Sequence, residues 1–164
     1  MVSWIDWKRA KAVVEYGPGL GAITQEVLKV KRPATHLFVI EKEPAFVEKL
    51  RERFPGLTVY QRCALEVQAL CQHEGIEGVD AIVSGLPWAA FSAGLQSSLL
   101  DAMMKVLRPG GQFATFAYLH GLMLPAGQRF RRLLDSYFEE VAVSPVVWRN
   151  LPPAVVYRCR RGQT

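Results

Sequence analysis

The first strongly patterned run, Ala12-Val13-Val14-Glu15-Tyr16, is almost wholly apolar and breaks off at Gly17-Pro18-Gly19-Leu20-Gly21, beyond which Ile23, Val27 and Leu28 recur at helical spacing. This predicts a strand, a glycine turn and a helix. Leu37-Phe38-Val39-Ile40 reads as a second strand ending at Glu41, and Pro44, suited to the first turn of a helix, opens a segment carrying Phe46, Val47 and Leu50 on one face. The same unit returns at 57–60 with 65–71, and again at 79–83 with 95–107. Strands alternating with helices predict a parallel sheet. Pro109-Gly110-Gly111 predicts a turn into a fifth strand over 113–118, followed by a helix over 125–136. The last two runs, 140–148 and 154–159, flank Leu151-Pro152-Pro153 and predict an antiparallel hairpin. No repeat, low-complexity tract or linker interrupts this order, so residues 1–164 are expected to form one domain.

Half of the residues are apolar, 10% are aromatic and 21% are charged, a balance that fills a core and excludes disorder. The formal net charge of +5, with a pI near 9.3, favours anionic partners, of which phosphate is the common chemistry. Cys63, Cys71 and Cys159 are odd in number and form no C-x-x-C pair, which predicts neither a disulfide framework nor a metal site and suits a reducing cytoplasm. The opening residues carry Asp6 and no uninterrupted apolar run, so no secretory signal is expected. Two uncharged stretches, 81–100 and 110–128, contain Pro87, Gly94 and Gln96 and then Gln112, His120 and Pro125, and neither is expected to span a bilayer.

A glycine-rich turn between a strand and a helix lets a ligand approach the backbone and points amide N–H groups at it. Gly17, Gly19 and Gly21 supply that turn in the tight spacing G-x-G-x-G, not the G-x-G-x-x-G that receives a pyrophosphate. Glu41 closes the second strand roughly 20 residues further on, where a carboxylate accepts from ribose hydroxyls. The turn alone also fits an ordinary strand-to-helix connection. Glu15, the three glycines and Glu41 together point to a nucleoside cofactor without a pyrophosphate.

At these residues the chain resembles the class I S-adenosylmethionine-dependent methyltransferases. The resemblance implies an α/β, Rossmann-like fold: a mostly parallel sheet with a C-terminal antiparallel hairpin and helices on both faces. It implies S-adenosyl-L-methionine as cofactor and S-adenosyl-L-homocysteine as product, with Glu15 serving the methionine amino group through the glycine turn and Glu41 the ribose. The family commonly has an Asp after the third strand for the adenine amino group; here Arg62-Cys63-Ala64 puts Cys63 in that place. A thiol is a weak acceptor, which leaves adenine to the backbone around Ala64 and to shape, and Cys63 fits a small buried hydrophobe equally well.

Ligands of doubly wound sheets sit at the carboxyl ends of the strands, which places Ser84-Gly85-Leu86-Pro87-Trp88 at the reacting methyl group, Ser84 toward the cofactor and Gly85, Leu86, Pro87 and Trp88 toward the acceptor. Two subfamilies look alike at the glycine turn, the ribosomal RNA adenine dimethyltransferases and the bacterial phospholipid N-methyltransferases. The RNA enzymes carry Asn-Leu-Pro and an aromatic residue after strand four, the Asn fixing a flipped adenine, and the Asn position here is Gly85. That string, with Leu107-Arg108-Pro109-Gly110-Gly111 and Asn150-Leu151-Pro152-Pro153-Ala154, is similar to the phospholipid enzymes. The resemblance implies methylation of the amine of phosphatidylethanolamine or its methylated derivatives at an anionic membrane surface, which fits a cytoplasmic protein peripheral to the inner face of the cell membrane; no metal and no obligate protein partner are expected.

Methyl transfer to an amine needs proximity, a free lone pair and surroundings that tolerate positive charge. Trp88 offers an aromatic face to the ammonium, or packs on the cofactor. Tyr118 and His120, just after the fifth strand, are candidates to accept a proton or to bind a head group, with His120 equally suited to plain surface exposure. Arg149 and Asn150, in the hairpin turn that the resemblance places over the site, are candidates for a head-group phosphate. Arg129, Arg131 and Arg132 interleave with Phe130, Leu133 and Leu134 behind Leu122-Met123-Leu124, a pattern that fits either a membrane-surface segment or a sheet-covering helix with a basic face. Phospholipid enzymes usually begin with an amphipathic helix over the cofactor; here the first strand begins near Ala12, so either the natural protein starts late or the sequence is truncated, and Trp4 and Trp7 are candidates for a remnant of that cover. The competing functions are methylation of RNA adenine N6 or of a small molecule, and a cofactor-binding module without catalysis, for which Cys63 and the missing helix speak.

Overall fold

In the computed structural model, which describes residues 1–163, β1 (Ala12–Tyr16) is buried at every position and lies inside a seven-stranded sheet of order β3-β2-β1-β4-β5-β7-β6. β2 (His36–Glu41) and β3 (Thr58–Gln61) lie to one side of β1, and β4 (Val79–Ser84) and β5 (Leu107–Tyr118) to the other, all parallel. β7 (Ala154–Arg160) runs antiparallel to β5 and to β6 (Glu140–Val143), the expected hairpin. The strand order reverses between β1 and β4, so the loops leaving these two strands open into a crevice at the carboxyl edge.

The alternation of side chains along each strand feeds two cores. Val14, Tyr16, Phe38, Ile40, Ile82 and Phe113 pack with α3 (Val67–His73), α4 (Ala93–Val106) and α6 (Pro125–Tyr137). Val13, Leu37, Ala81, Val83 and Ala114 face the other way, against Val27 of α1 (Ala22–Val30) and Ile5, while Val39 and Val59 meet Val47 and Leu50 of α2 (Pro44–Arg53). Each such large side chain, fully buried, contributes roughly 1.5–3 kcal/mol from area removed from water. No helix among the described residues is long and apolar enough to cross a membrane.

Three boundaries depart from the sequence expectation. Pro109-Gly110-Gly111 is not a turn before β5 but part of it: the pairing jumps from Val79↔Leu107 to Ala81↔Gln112, and this bulge holds the proline and Gly110, whose φ is +71°, within the strand. The penultimate strand stops at Val143, leaving a long connection touched down only by the Val147↔Ala154 bridge, because Pro145 cannot donate to a ladder. The helix expected over 65–71 opens as a 3-10 turn, Ala64–Glu66, before α3. At the N-terminus Trp4 and Trp7 pack on the α1-side core, and Gln112 ties the segment down by accepting from Asp6 N–H at 2.8 Å and donating to the Trp4 carbonyl at 2.9 Å.

Candidate cofactor and acceptor site

A cleft of about 430 Å³ opens at the carboxyl edge between the β1 and β4 loops, lined by Gly17, Pro18, Gly19, Gly85, Phe116 and Tyr118, with Asn150, Ala154 and Val156 closing it from the hairpin. Gly19 makes it a cradle. Its φ of +55° is a conformation that L side chains rarely adopt, and a Cβ added there would meet nothing within 4 Å, so its backbone fronts open space. Gly85 is required for a different reason: a Cβ there would lie 2.4 Å from the Gly17 carbonyl oxygen, so the two loops touch backbone to backbone.

Glu41 locks this cradle from the end of β2. One carboxylate oxygen accepts from Gly19 N–H at 3.0 Å and the other from Glu43 N–H at 3.0 Å, and the side chain is buried. Each oxygen keeps a second lone pair, the capacity that binding a ribose diol requires. Glu15, two residues before Gly17 in β1, is fully buried, and neither of its oxygens has a hydrogen-bond partner among the described residues. Burial pushes its pKa up to about 7; the hydroxyl and amide of Thr24 act in the opposite direction without a formed hydrogen bond, and Glu41 adds a smaller upward push. A buried carboxyl with unused acceptors beneath an open glycine turn suits a cationic amino group, so this site fits the nucleoside and amino-acid ends of S-adenosylmethionine.

This carboxyl also predicts a pH dependence of stability. The folded value of about 7 lies above the ordinary 4.5, so between these values the folded protein holds a proton that the unfolded chain has released. Stability therefore falls as pH rises from 4.5 to 7 and is level above, a change on the order of 3 kcal/mol. Glu15→Gln, neutral throughout, is expected to lack that slope. Urea unfolding at both ends of the window checks it, and parallel pH profiles for the two proteins reject the assignment.

The other expected cofactor residues are arranged differently. Ser84 is fully buried; its hydroxyl accepts from Leu86 N–H at 3.2 Å and from Trp88 Nε1–H at 3.1 Å, so it shapes the 84–88 turn and is closed to a ligand. Cys63 is half-buried, its N–H donating to Glu66 Oε1 at 3.0 Å and its carbonyl accepting from Glu66 N–H at 2.9 Å. The residue thus starts the 3-10 turn, while the Ala64 side chain enters the core.

On the acceptor side, Trp88 departs most from expectation. It is 2% exposed, its ring stacks on Phe130 at 4.5 Å, and its edges meet Phe91 and Phe113, so its face is covered and not open to an ammonium. Gln96, fully buried in α4, fixes it by donating to the Trp88 carbonyl at 2.7 Å and to Ala126 at 3.1 Å while accepting from Arg129 Nε at 3.1 Å. Arg129 is therefore an internal tie, Arg131 is paired with Asp135, and Arg132 is exposed and has no partner among the described residues, which corrects the view of this helix as a free basic face. Leu86 lies over Gly17, and Pro87 is exposed at the rim of a second cavity. Tyr118, 36% exposed, stacks on His120 with ring centroids 5.6 Å apart. Asn150 reaches the cleft, its side chain donating to the Pro152 carbonyl at 2.9 Å, whereas the exposed Arg149 lines a neighbouring hollow with Trp148. Phe116, Val156 and Gln96 were not singled out as site residues by sequence; for the last, a glutamine within the uncharged stretch 81–100 was the available signal.

No protein-family model matches the chain. It is 36% identical over 161 residues, 95% of its length and 79% of the relative's, to the ornithine lipid N-methyltransferase of Singulisphaera acidiphila. It is 32% identical over 103 residues to ribosomal RNA small subunit methyltransferase A of Dehalococcoides mccartyi, a match covering 61% of this chain and 34% of that protein. Among solved structures, the N-methyltransferase NodS of Bradyrhizobium japonicum in complex with S-adenosyl-L-homocysteine superposes with a TM-score of 0.70 at 18% identity, over 93% of this chain and 78% of that one. An S-adenosylmethionine-dependent O-methyltransferase of Thermotoga maritima gives 0.71 at 18% identity, over 98% and 63%. Both share the fold.

Proposed function

The chain belongs to the family of the ornithine lipid N-methyltransferase, within the class I S-adenosylmethionine-dependent methyltransferases, and from that premise we propose that it methylates the amine of a membrane lipid, phosphatidylethanolamine or its partly methylated products. It is an N-methyltransferase that uses S-adenosylmethionine, which when bound supplies a methyl group made electrophilic by the adjoining sulfonium. Glu15 and the Gly17–Gly21 turn would hold the amino-acid end and Glu41 the ribose. Gly85 in the cleft, Leu86 packed over Gly17 and Pro87 at the neighbouring cavity are assigned to the acceptor side, and the Tyr118 hydroxyl with the stacked His120 imidazole supplies the groups able to take the proton that the amine must lose.

The observation that carries the lipid reading is the match to a lipid N-methyltransferase over nearly the whole chain. The RNA alternative rests on a shorter match, and at Gly85 the contact with Gly17 leaves no room for the asparagine side chain of the RNA enzymes. Met123, next to Leu122 and Leu124 of a neighbouring cavity, is 80% exposed, and Trp148 and Leu151, which flank the cleft-lining Val147 and Asn150 in sequence together with Arg149, are 70% and 90% exposed, a composition suited to the surface of an anionic bilayer. Incubation with methyl-labelled S-adenosylmethionine and separate pools of anionic vesicles holding phosphatidylethanolamine, anionic vesicles holding ornithine lipid, ribosomal RNA, and small amines tests the proposal. Label is expected in phosphatidylethanolamine, with transfer falling as salt is raised. Label in ornithine lipid alone keeps the lipid reading and moves the head group; label in RNA or only in small amines overturns it.

A further inference from the structure

Behind the acceptor wall lies a second cavity of about 250 Å³, separate from the cofactor cleft but sharing Phe116 and Tyr118 with it. Alternate residues of β5 explain the division: Phe116 and Tyr118 reach both hollows, while Ala117 and, across the ladder, Tyr157 line only the second, on the α4 and α6 face. The hollow exists because small residues meet where large ones would fill it. A Cβ on Gly127 would lie 2.0 Å from the Gly121 carbonyl, and one on Gly121 would lie 3.4 Å from Ala89, so α5 (Leu119–Leu122), α6 and the 3-10 turn Trp88–Ala90 are drawn close with a gap between their side chains.

No Asp, Glu, Lys or Arg of the described residues lines this cavity; apart from His120 its lining is almost wholly apolar or aromatic, with Ala89, Leu122, Leu124, Trp88 and Phe130 among it. At its rim Leu124 is 48% exposed, and the adjoining Met123 80%. At roughly 30 Å³ per water-sized volume it holds about eight such volumes, room for a segment of hydrocarbon and too little for a whole lipid. Of its lining, Pro87, Tyr118 and His120 are assigned to methyl transfer; the other lining residues take no part in that step.

We propose that this cavity is an acyl-chain subsite, in which the hydrocarbon nearest the head group of the amine lipid enters between α5 and Trp88 while the amine stands across Phe116 and Tyr118 in the cofactor cleft. The inference rests on the lipid reading above and adds that the enzyme recognises its substrate by chain as well as by amine. It assigns Trp88 to the wall of the chain site, held by Ser84, Gln96 and Phe130, in place of the ammonium.

The test uses a series of single-chain amine lipids of increasing chain length, below their aggregation threshold, with labelled transfer and tryptophan fluorescence as separate readouts. In the unmodified protein KM is expected to fall about fourfold for each methylene that enters the cavity and then to level off. Ala89→Leu, which fills the cavity, should raise KM for long chains about tenfold and leave short ones unchanged; Leu122→Ala, which enlarges it, should move the levelling point to a longer chain. A chain brominated near the head group should quench fluorescence in the unmodified protein and in Trp148→Phe, and not in Trp88→Phe. Transfer to lipid amines with no dependence on chain length and no quenching through Trp88 overturns the subsite and leaves lipid methylation standing. Quenching through Trp88 with no transfer to any lipid amine overturns the lipid reading, and the cavity's role as a substrate site with it.

Discussion

Glu41→Ala is expected to weaken S-adenosylmethionine and S-adenosylhomocysteine by about a hundredfold, measured by calorimetry. The carboxylate holds two backbone amides, those of Gly19 and Glu43, so it joins the glycine cradle to the start of α2 before any ligand arrives. Removing it deletes a charged acceptor for the ribose and, in the same stroke, leaves two inward-pointing N–H groups unpaired and the Gly19 loop free to open. The loss is therefore larger than that of a surface acceptor. Glu41→Gln, which keeps one carbonyl oxygen but sets an NH₂ against one of the two amides, should fall between. Because Glu41 is buried, the thermal midpoint of each variant is read alongside. Unchanged affinity in a folded Glu41→Ala protein removes Glu41 from the cofactor site.

The parts of this molecule that were legible in the sequence are those in which periodicity and backbone chemistry agree. The strand 12–16 matches β1 residue for residue, Pro44 does open α2, and Gly19 has the open left-handed geometry that the glycine turn implied. Long-range contacts were hidden. Trp88 follows a site loop and so looked like a face offered to substrate, but its neighbours Phe113 and Phe130 come from β5 and α6, and no local pattern reveals that Phe130 stacks on it. Arg129 has the spacing of a surface arginine and becomes internal only because Gln96, far away in sequence, needs a donor for its buried oxygen. Ser84 illustrates the same limit: ending the strand that leads into the 85–88 loop is compatible with a hydroxyl turned fully inward.

The second large effect is expected at Gly85. Its N–H donates to the Tyr16 carbonyl at 2.8 Å, and Gly17 N–H donates to the Ile40 carbonyl at 2.9 Å, so both loops are pinned to the sheet and neither can retreat. A methyl group on Gly85 would stand 2.4 Å from the Gly17 oxygen, and backbone, unlike a side-chain end, cannot rotate away. Overpacking of this kind costs about 1–3 kcal/mol, and here the displacement falls on the cradle itself, so Gly85→Ala should lose tenfold to hundredfold in transfer and weaken the cofactor as well. Gly85→Asn restores the residue type of the RNA enzymes and should gain no activity on RNA, because the loop spacing that would admit the amide is absent. Gly94→Ala serves as the control: it lies in α4, a Cβ there meets nothing within 4 Å, and the change should be neutral or slightly stabilising. Wild-type turnover in Gly85→Ala would mean that the two loops part freely, and the argument against an RNA substrate would lose its structural basis.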